Sequence, residues 1–163
     1  RGLELMIETM PLLEEYIFVI IGDGDITEKL KNKVTNLSLV DRVKFLGKKT
    51  PNELKKLTPN ATIGISLEED LGLNYRYALP NKIFDYLHAN VPVIVADLKE
   101  MKALISNYSF GKVLQERSSE CLAKTIKSME FVNYKKELKD AKEELNWSIE
   151  KEKLTSIFLK RVE

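Results

Sequence analysis

The segment LPNKIFDYLHANVPVIV, residues 79 to 95, constrains this chain more than any other stretch, because a helix start there runs straight into a buried-type strand. Pro80 fixes φ just ahead of the helix, and Asn81 is a residue type that accepts a hydrogen bond at an N-cap. The unsatisfied N–H groups of that first turn point at whatever anion arrives. Lys82 and Asp85, three apart, share one helical face near its positive end, while Ile83, Phe84 and Leu87 form the face that packs on a sheet. A lysine and a carboxylate so placed are what a nucleotide-binding α/β domain uses to hold a diphosphate and a ribose.

The rest of the chain repeats the alternation. Leu3, Met6, Ile7 and Met10 have helical spacing, and YIFVII (16 to 21) follows as a strand of the doubly buried kind. Gly22-Asp23-Gly24 turns the chain, and Asp25 with Glu28 predicts a capping box for a helix carrying Leu30, Val34 and Leu37. Val43 to Leu46 reads as a strand. Thr50-Pro51-Asn52-Glu53 opens a short helix through Leu57, and Thr62 to Ser66 is the next strand. After a polar loop come the central helix, Asn90 as its terminator, and VPVIVA (91 to 96). Asp97 and Glu100 predict another capping box, Gly111 to Leu114 a strand, and Leu122, Ala123, Ile126 and Met129 a further helix. From Tyr134 the chain is charged and helical. Strands apolar on both faces, alternating with helices, predict a Rossmann-like three-layer α/β/α fold around a parallel sheet, with ligands at the carboxyl ends of the strands.

Composition narrows the partners. With 163 residues, 44% of them hydrophobic, the chain can bury one ordinary core, and 26 Lys plus Arg against 25 Asp plus Glu leave no field to draw it to nucleic acid or to an anionic surface. The one cysteine, Cys121, forms no internal disulfide and is expected as an inert helix residue. No apolar run spans a membrane and no signal-peptide pattern is present, so the cytoplasm is the expected compartment.

The order IIGDG (20 to 24), DRVKFLG (41 to 47), PNKIFDYLHANVPVIVAD (80 to 97) and NWSIEKEKL (146 to 154) resembles the C-terminal, donor-binding domain of GT-B glycosyltransferases. It is most like the retaining group that builds capsular and lipopolysaccharide glycans, the glycosyl transferases group 1, or family 4-like, enzymes. The resemblance implies a sugar-nucleotide donor, UDP- or GDP-linked, and no metal or other cofactor. Asp85 falls where the second acid of the family's paired-acid motif takes the ribose hydroxyls. Lys82, Asn81 and the backbone after Pro80 would face the diphosphate, with Arg1 a further phosphate contact. Gly22 and Gly24 would let backbone approach the ligand, and Gly47 and Lys48 would lie by the base. Where the first acid is expected, eight positions before Asp85, this chain has Tyr77; Glu68 or Glu69, with Asp70 beside them in a longer loop, are candidates for a donor-sugar contact instead.

The same resemblance implies residues 1–130 as the nucleotide-sugar-binding domain and 131–163 as a helical tail that crosses to an N-terminal acceptor domain. A peripheral position at the inner membrane face through a parent enzyme fits that scheme. The central strand that precedes the first helix in such folds has no counterpart ahead of RGLELMIETM, so neighbouring strands should either close together or recruit another chain. Plainer readings stand beside these. Lys82 and Asp85 could be a surface pair, Gly22-Asp23-Gly24 only a turn, the acids at 68 to 70 a solvated loop, and His88 and Trp147 ordinary packing residues. His88 as the one histidine speaks against a GT-B-like sugar-nucleotide epimerase, and Asp23 and Asp70 with Lys99 match the acids and lysine of a receiver poorly, while another non-catalytic nucleotide-binding or interaction module stays open.

Overall fold

The structure, a computed structural model, describes residues 2–159. Helix α1 (Leu3–Thr9) runs through a 3-10 turn (Met10–Leu12) to β1 (Phe18–Ile20), then α2 (Thr27–Asn36), β2 (Val43–Phe45) and α3 (Pro51–Leu57). β3 (Gly64–Ser66), a short α4 (Leu73–Arg76) and α5 (Asn81–His88) lead to β4 (Val93–Ala96). α6 (Lys99–Tyr108), β5 (Gly111–Leu114), α7 (Ser119–Met129), α8 (Lys135–Glu144) and α9 (Trp147–Leu159) complete the order. Every strand pairing is parallel, with Phe18 opposite Val43, Gly64 opposite Val93 and Val93 opposite Gly111. The fold is α/β and Rossmann-like. α1 packs on α2 and α7, and α8 packs on α5 and α6, giving two groups of helices about the strands.

The core is centred on β4, where Val93, Ile94 and Val95 are wholly buried between β3 and β5. Ile83 and Leu87 of α5 and Met101 of α6 close over it. This is the burial that the apolar run VPVIVA requires, since both faces of a central parallel strand are covered.

The sheet is not continuous. β1 and β2 form one two-stranded unit and β3, β4 and β5 another, so the described residues neither draw the two units together nor bring in a further strand. α1 packs against both α2 and α7, so the helices stay connected where the sheet does not. The expectation of strands apolar on both faces therefore fails for β1, where Val19 is exposed.

One of the four expected helix caps forms as the sequence predicts, and three do not. Thr50 and Glu53 form the reciprocal box, the Glu53 N–H donating to Thr50 Oγ1 (3.3 Å) and the Thr50 N–H to Glu53 Oε2 (2.8 Å). Asp25 does not cap α2. It lies in a turn, and Asp23 instead accepts from the Gly24 N–H (2.9 Å) and the Thr27 hydroxyl (2.8 Å). Asp97 does not cap α6, because Leu98 goes into the core at the cap position and leaves Asp97 one residue early, paired with Lys102 at 3.0 Å. Asn81 is inside α5, not its cap: Pro80 holds that position with extended backbone. Asn90 does end this helix, with φ of 61° just beyond the last turn.

His88, expected in packing, is at the surface, and so is the apolar stripe of the tail. His88 is exposed on the last turn of α5. Trp147 is 70% exposed on α9, with Ile157 and Phe158 also exposed, while Val162 of the same stripe lies outside the described residues. Cys121 is half-buried in the first turn of α7, where Ser118 Oγ accepts its N–H. No helix among the described residues is long and apolar enough to cross a membrane.

Candidate functional site

All five strands end on one rim. α1 begins there, because Gly2, with φ of 74°, lies so close to the end of β3 that a Cβ would stand 2.4 Å from the Leu67 carbonyl oxygen. α1 then runs to the opposite end, where Arg42 donates to the carbonyls of Met10 (2.9 Å) and Leu13 (3.0 Å), and β1 returns to the rim. α5 leaves the end of β3 and leads back to the start of β4, so its amino end is on the same rim.

At the β3 side the rim is built from ion pairs. Three consecutive acids each take a cation from a different place: Glu68 from Lys82 of α5 at 2.6 Å, Glu69 from Arg117 beyond β5 at 2.7 Å, and Asp70 from Arg76 of α4 at 2.9 Å. Arg117 also donates to the Leu67 carbonyl at 3.1 Å, bracing the loop through both its backbone and its side chain. Glu68 is 5% exposed and receives a second hydrogen bond, 2.8 Å, from the buried Ser66 hydroxyl. Burial pushes its carboxyl upward, but Lys82 and Ser66 outweigh burial and hold it below the usual glutamate value. The ring of Tyr86 lies against Gly64, where a Cβ would come within 2.4 Å of it, so α5 is seated directly on β3.

Lys82 is half-exposed; Asn81 and Asp85 are exposed on the same helix. Gly22 and Gly47 are joined by a 2.9 Å hydrogen bond from the Gly22 N–H to the Gly47 carbonyl, at the ends of β1 and β2. Gly24 sits in the Asp23 bracket, and the charge of exposed Lys48 helps lower the Asp23 carboxyl, after the Thr27 and Gly24 bonds. Arg1 lies outside the described residues. Tyr77, which stands where an acid was expected, carries Lys99 Nζ 5.0 Å from its ring centre. Of the acids at 68 to 70, Glu69 and Asp70 are exposed, as a solvated loop requires, though each is paired, whereas Glu68 is buried and holds Lys82.

Ser66 and Arg117 were missed. Each follows or ends a strand at its carboxyl end, the one signal that marks a rim residue in a parallel sheet. Two shallow concavities, of about 510 and 530 Å³, lie one against α1 and α2 and the other beside α6 and α8, and neither takes in the rim residues above. No cluster of metal-ligand side chains occurs among the described residues.

Against known proteins, residues 1–146 match the family model for glycosyl transferases group 1. The amylovoran biosynthesis glycosyltransferase AmsK of Erwinia amylovora is 24% identical over 127 residues, which are 76% of this chain and 31% of that protein. Among solved structures, sucrose-phosphate synthase of Thermosynechococcus elongatus superposes with a TM-score of 0.82 at 14% identity, over 99% of this chain and 42% of the other. Anabaena HepE in complex with UDP-glucose superposes with a TM-score of 0.78 at 16% identity, over 96% of this chain and 44% of the other. The chain spans about a third of the length of the curated relative and under half of these two structures. With the family model covering all but the last residues, the chain belongs to the glycosyl transferases group 1 family.

Proposed function

We propose that this chain is the C-terminal, donor-binding part of a GT-B glycosyltransferase that moves a hexose, with retention, from a UDP- or GDP-sugar to a glycan or lipid-linked acceptor. The observation that carries the reading is the start of α5 on the carboxyl rim, with Lys82 fixed in its first turn and Asp85 exposed one turn on. Aligned peptide dipoles, free N–H groups and an ammonium there favour a diphosphate. Asp85 accepts hydrogen bonds from the ribose hydroxyls, and the backbone around Gly22, Gly24, Gly47 and Lys48 flanks the nucleoside. Stabilising the departing diphosphate is the contribution these residues make to the chemistry, and no metal is needed for it. The UDP-glucose complex of HepE supports the donor class, and the name of AmsK supports a role in polysaccharide synthesis.

The acceptor site belongs to an N-terminal domain, and residues 131–163 include the tail that reaches it. α8 is already seated on α5 and α6, so the exposed α9 is the part that crosses. The enzyme works in the cytoplasm, at the inner face of the membrane where its acceptor is lipid-linked. The gap between β1 and β3 is filled by another strand, or by a second copy of the chain when none is supplied. Calorimetric titration with UDP, GDP and ADP tests the donor site. Binding of one of them, weakened at least tenfold in Lys82→Ala and in Asp85→Ala, is expected; wild-type affinity in both variants would leave only the fold.

A further inference from the structure

Among the described residues Glu68 is the one acidic or basic side chain that is buried. Both of its oxygens are engaged: Oε2 accepts from Ser66 Oγ at the end of β3, and Oε1 meets Lys82 Nζ at 2.6 Å. Thus occupied, with its side chain 4% exposed, Glu68 does not reach a donor sugar. It also does not release its counter-ion to an incoming anion, because an unpaired carboxylate in that position is strongly unfavourable. Lys82 therefore stays where Glu68 holds it. An ammonium group has three N–H donors and Glu68 takes one, leaving two on a side chain that is 39% exposed.

Resting on the donor reading above, we infer that Glu68 is a positioning residue for diphosphate recognition: it anchors Lys82 Nζ at the first turn of α5, and the phosphate oxygens bind the donors that remain. Arg117 serves the same end more distantly by bracing the Leu67 carbonyl and Glu69 on either side of Glu68. The pair is neutral overall. Its attraction for phosphate comes from a pre-placed donor beside the helix start, not from net charge.

A field-only view expects Glu68→Gln, which removes a negative charge close to bound phosphates, to tighten UDP binding; positioning expects it to weaken. UDP and uridine are titrated into the full chain and into the Glu68→Gln, Lys82→Ala and doubly substituted forms, with folding checked by circular dichroism. Glu68→Gln should bind UDP about three- to tenfold more weakly, bind uridine unchanged, and add nothing when Lys82 is already alanine. Should Glu68→Gln fail to fold, Ser66→Ala, which frees one carboxylate oxygen, is read in the same way. Equal or tighter UDP binding, an equal loss for uridine, or additive effects in the double variant would overturn the positioning role while leaving the donor site intact. Failure of the wild-type chain to bind UDP, GDP or ADP at all would remove the donor reading and this inference with it.

Discussion

The two strand units answer the same topological problem with different materials. In the β3–β4–β5 unit the central strand is buried along its whole length, and the acids leaving β3 form three ion pairs, with Lys82 of α5, Arg117 beyond β5 and Arg76 of α4. In the β1–β2 unit Val19 is exposed, and the rim is glycine-rich backbone with open space around Gly22 and Gly47. One unit holds charge in fixed positions, and the other leaves room for a ligand's bulk. A binding rim needs both, since phosphate oxygens demand placed donors whereas a base demands accessible surface.

The contrast can be broken first in the core. Ile94→Ala, in the middle of β4, should cost about 2 to 5 kcal/mol in denaturant unfolding, while Val19→Ala in β1 should stay within about 0.5 kcal/mol. Similar costs would mean that the β1–β2 unit is as well covered as its partner. Next come the glycines. A Cβ at Gly111 would meet the Val93 carbonyl oxygen at 2.0 Å, so Gly111→Ala should lose about 3 kcal/mol or more. At Gly47 the space is open and only the φ of 65° resists, so Gly47→Ala should lose about 1 to 2 kcal/mol.

Lys82→Ala tests the fixed charge of the β3 rim through its pH dependence. Removing the lysine strands Glu68, at about 1 to 3 kcal/mol near neutrality, below the full cost of breaking a buried pair because Lys82 is itself 39% exposed. In the wild type the Glu68 carboxyl is held below the ordinary value of 4.5, so its stabilisation is present above that pH and is lost as pH falls through the lowered value. In Lys82→Ala burial, the largest influence, is opposed only by the Ser66 hydroxyl and the Glu68 backbone and raises the carboxyl, so the variant should gain stability relative to wild type as pH drops from 7 toward 5. Parallel unfolding curves at both pH values would contradict this. The smallest effect is at the helix starts: Thr50→Ala should cost about 1 kcal/mol and Asp25→Ala close to none, measured as melting temperatures.

Much of this was legible in the residues. YIFVII, VKFL and VPVIVA marked three strands, and Lys82 with Asp85 marked a helix face, because burial on both sides of a strand and on one side of a helix leaves a periodic trace. The capping boxes were less so. Asp25–Glu28 and Asp97–Glu100 fit the pattern as well as Thr50–Glu53 does, yet packing of Leu98 and the turn at Asp25 moved each start by one residue. A local motif fixes which residues can cap, whereas the surrounding core decides where the helix begins.

By itself the sequence determined the alternation of strand and helix, the parallel sense of the pairing, and a lysine and an aspartate one turn apart at a helix start. These follow from backbone geometry and hydrophobic periodicity, which act over a few residues. Only the tertiary structure decided that Lys82 is held by Glu68 from the preceding loop, that Arg117 reaches back to Leu67 and Glu69, and that the strands stand as two units. Such pairings depend on how loops close and on which carboxylate is buried, and no spacing along the chain encodes either.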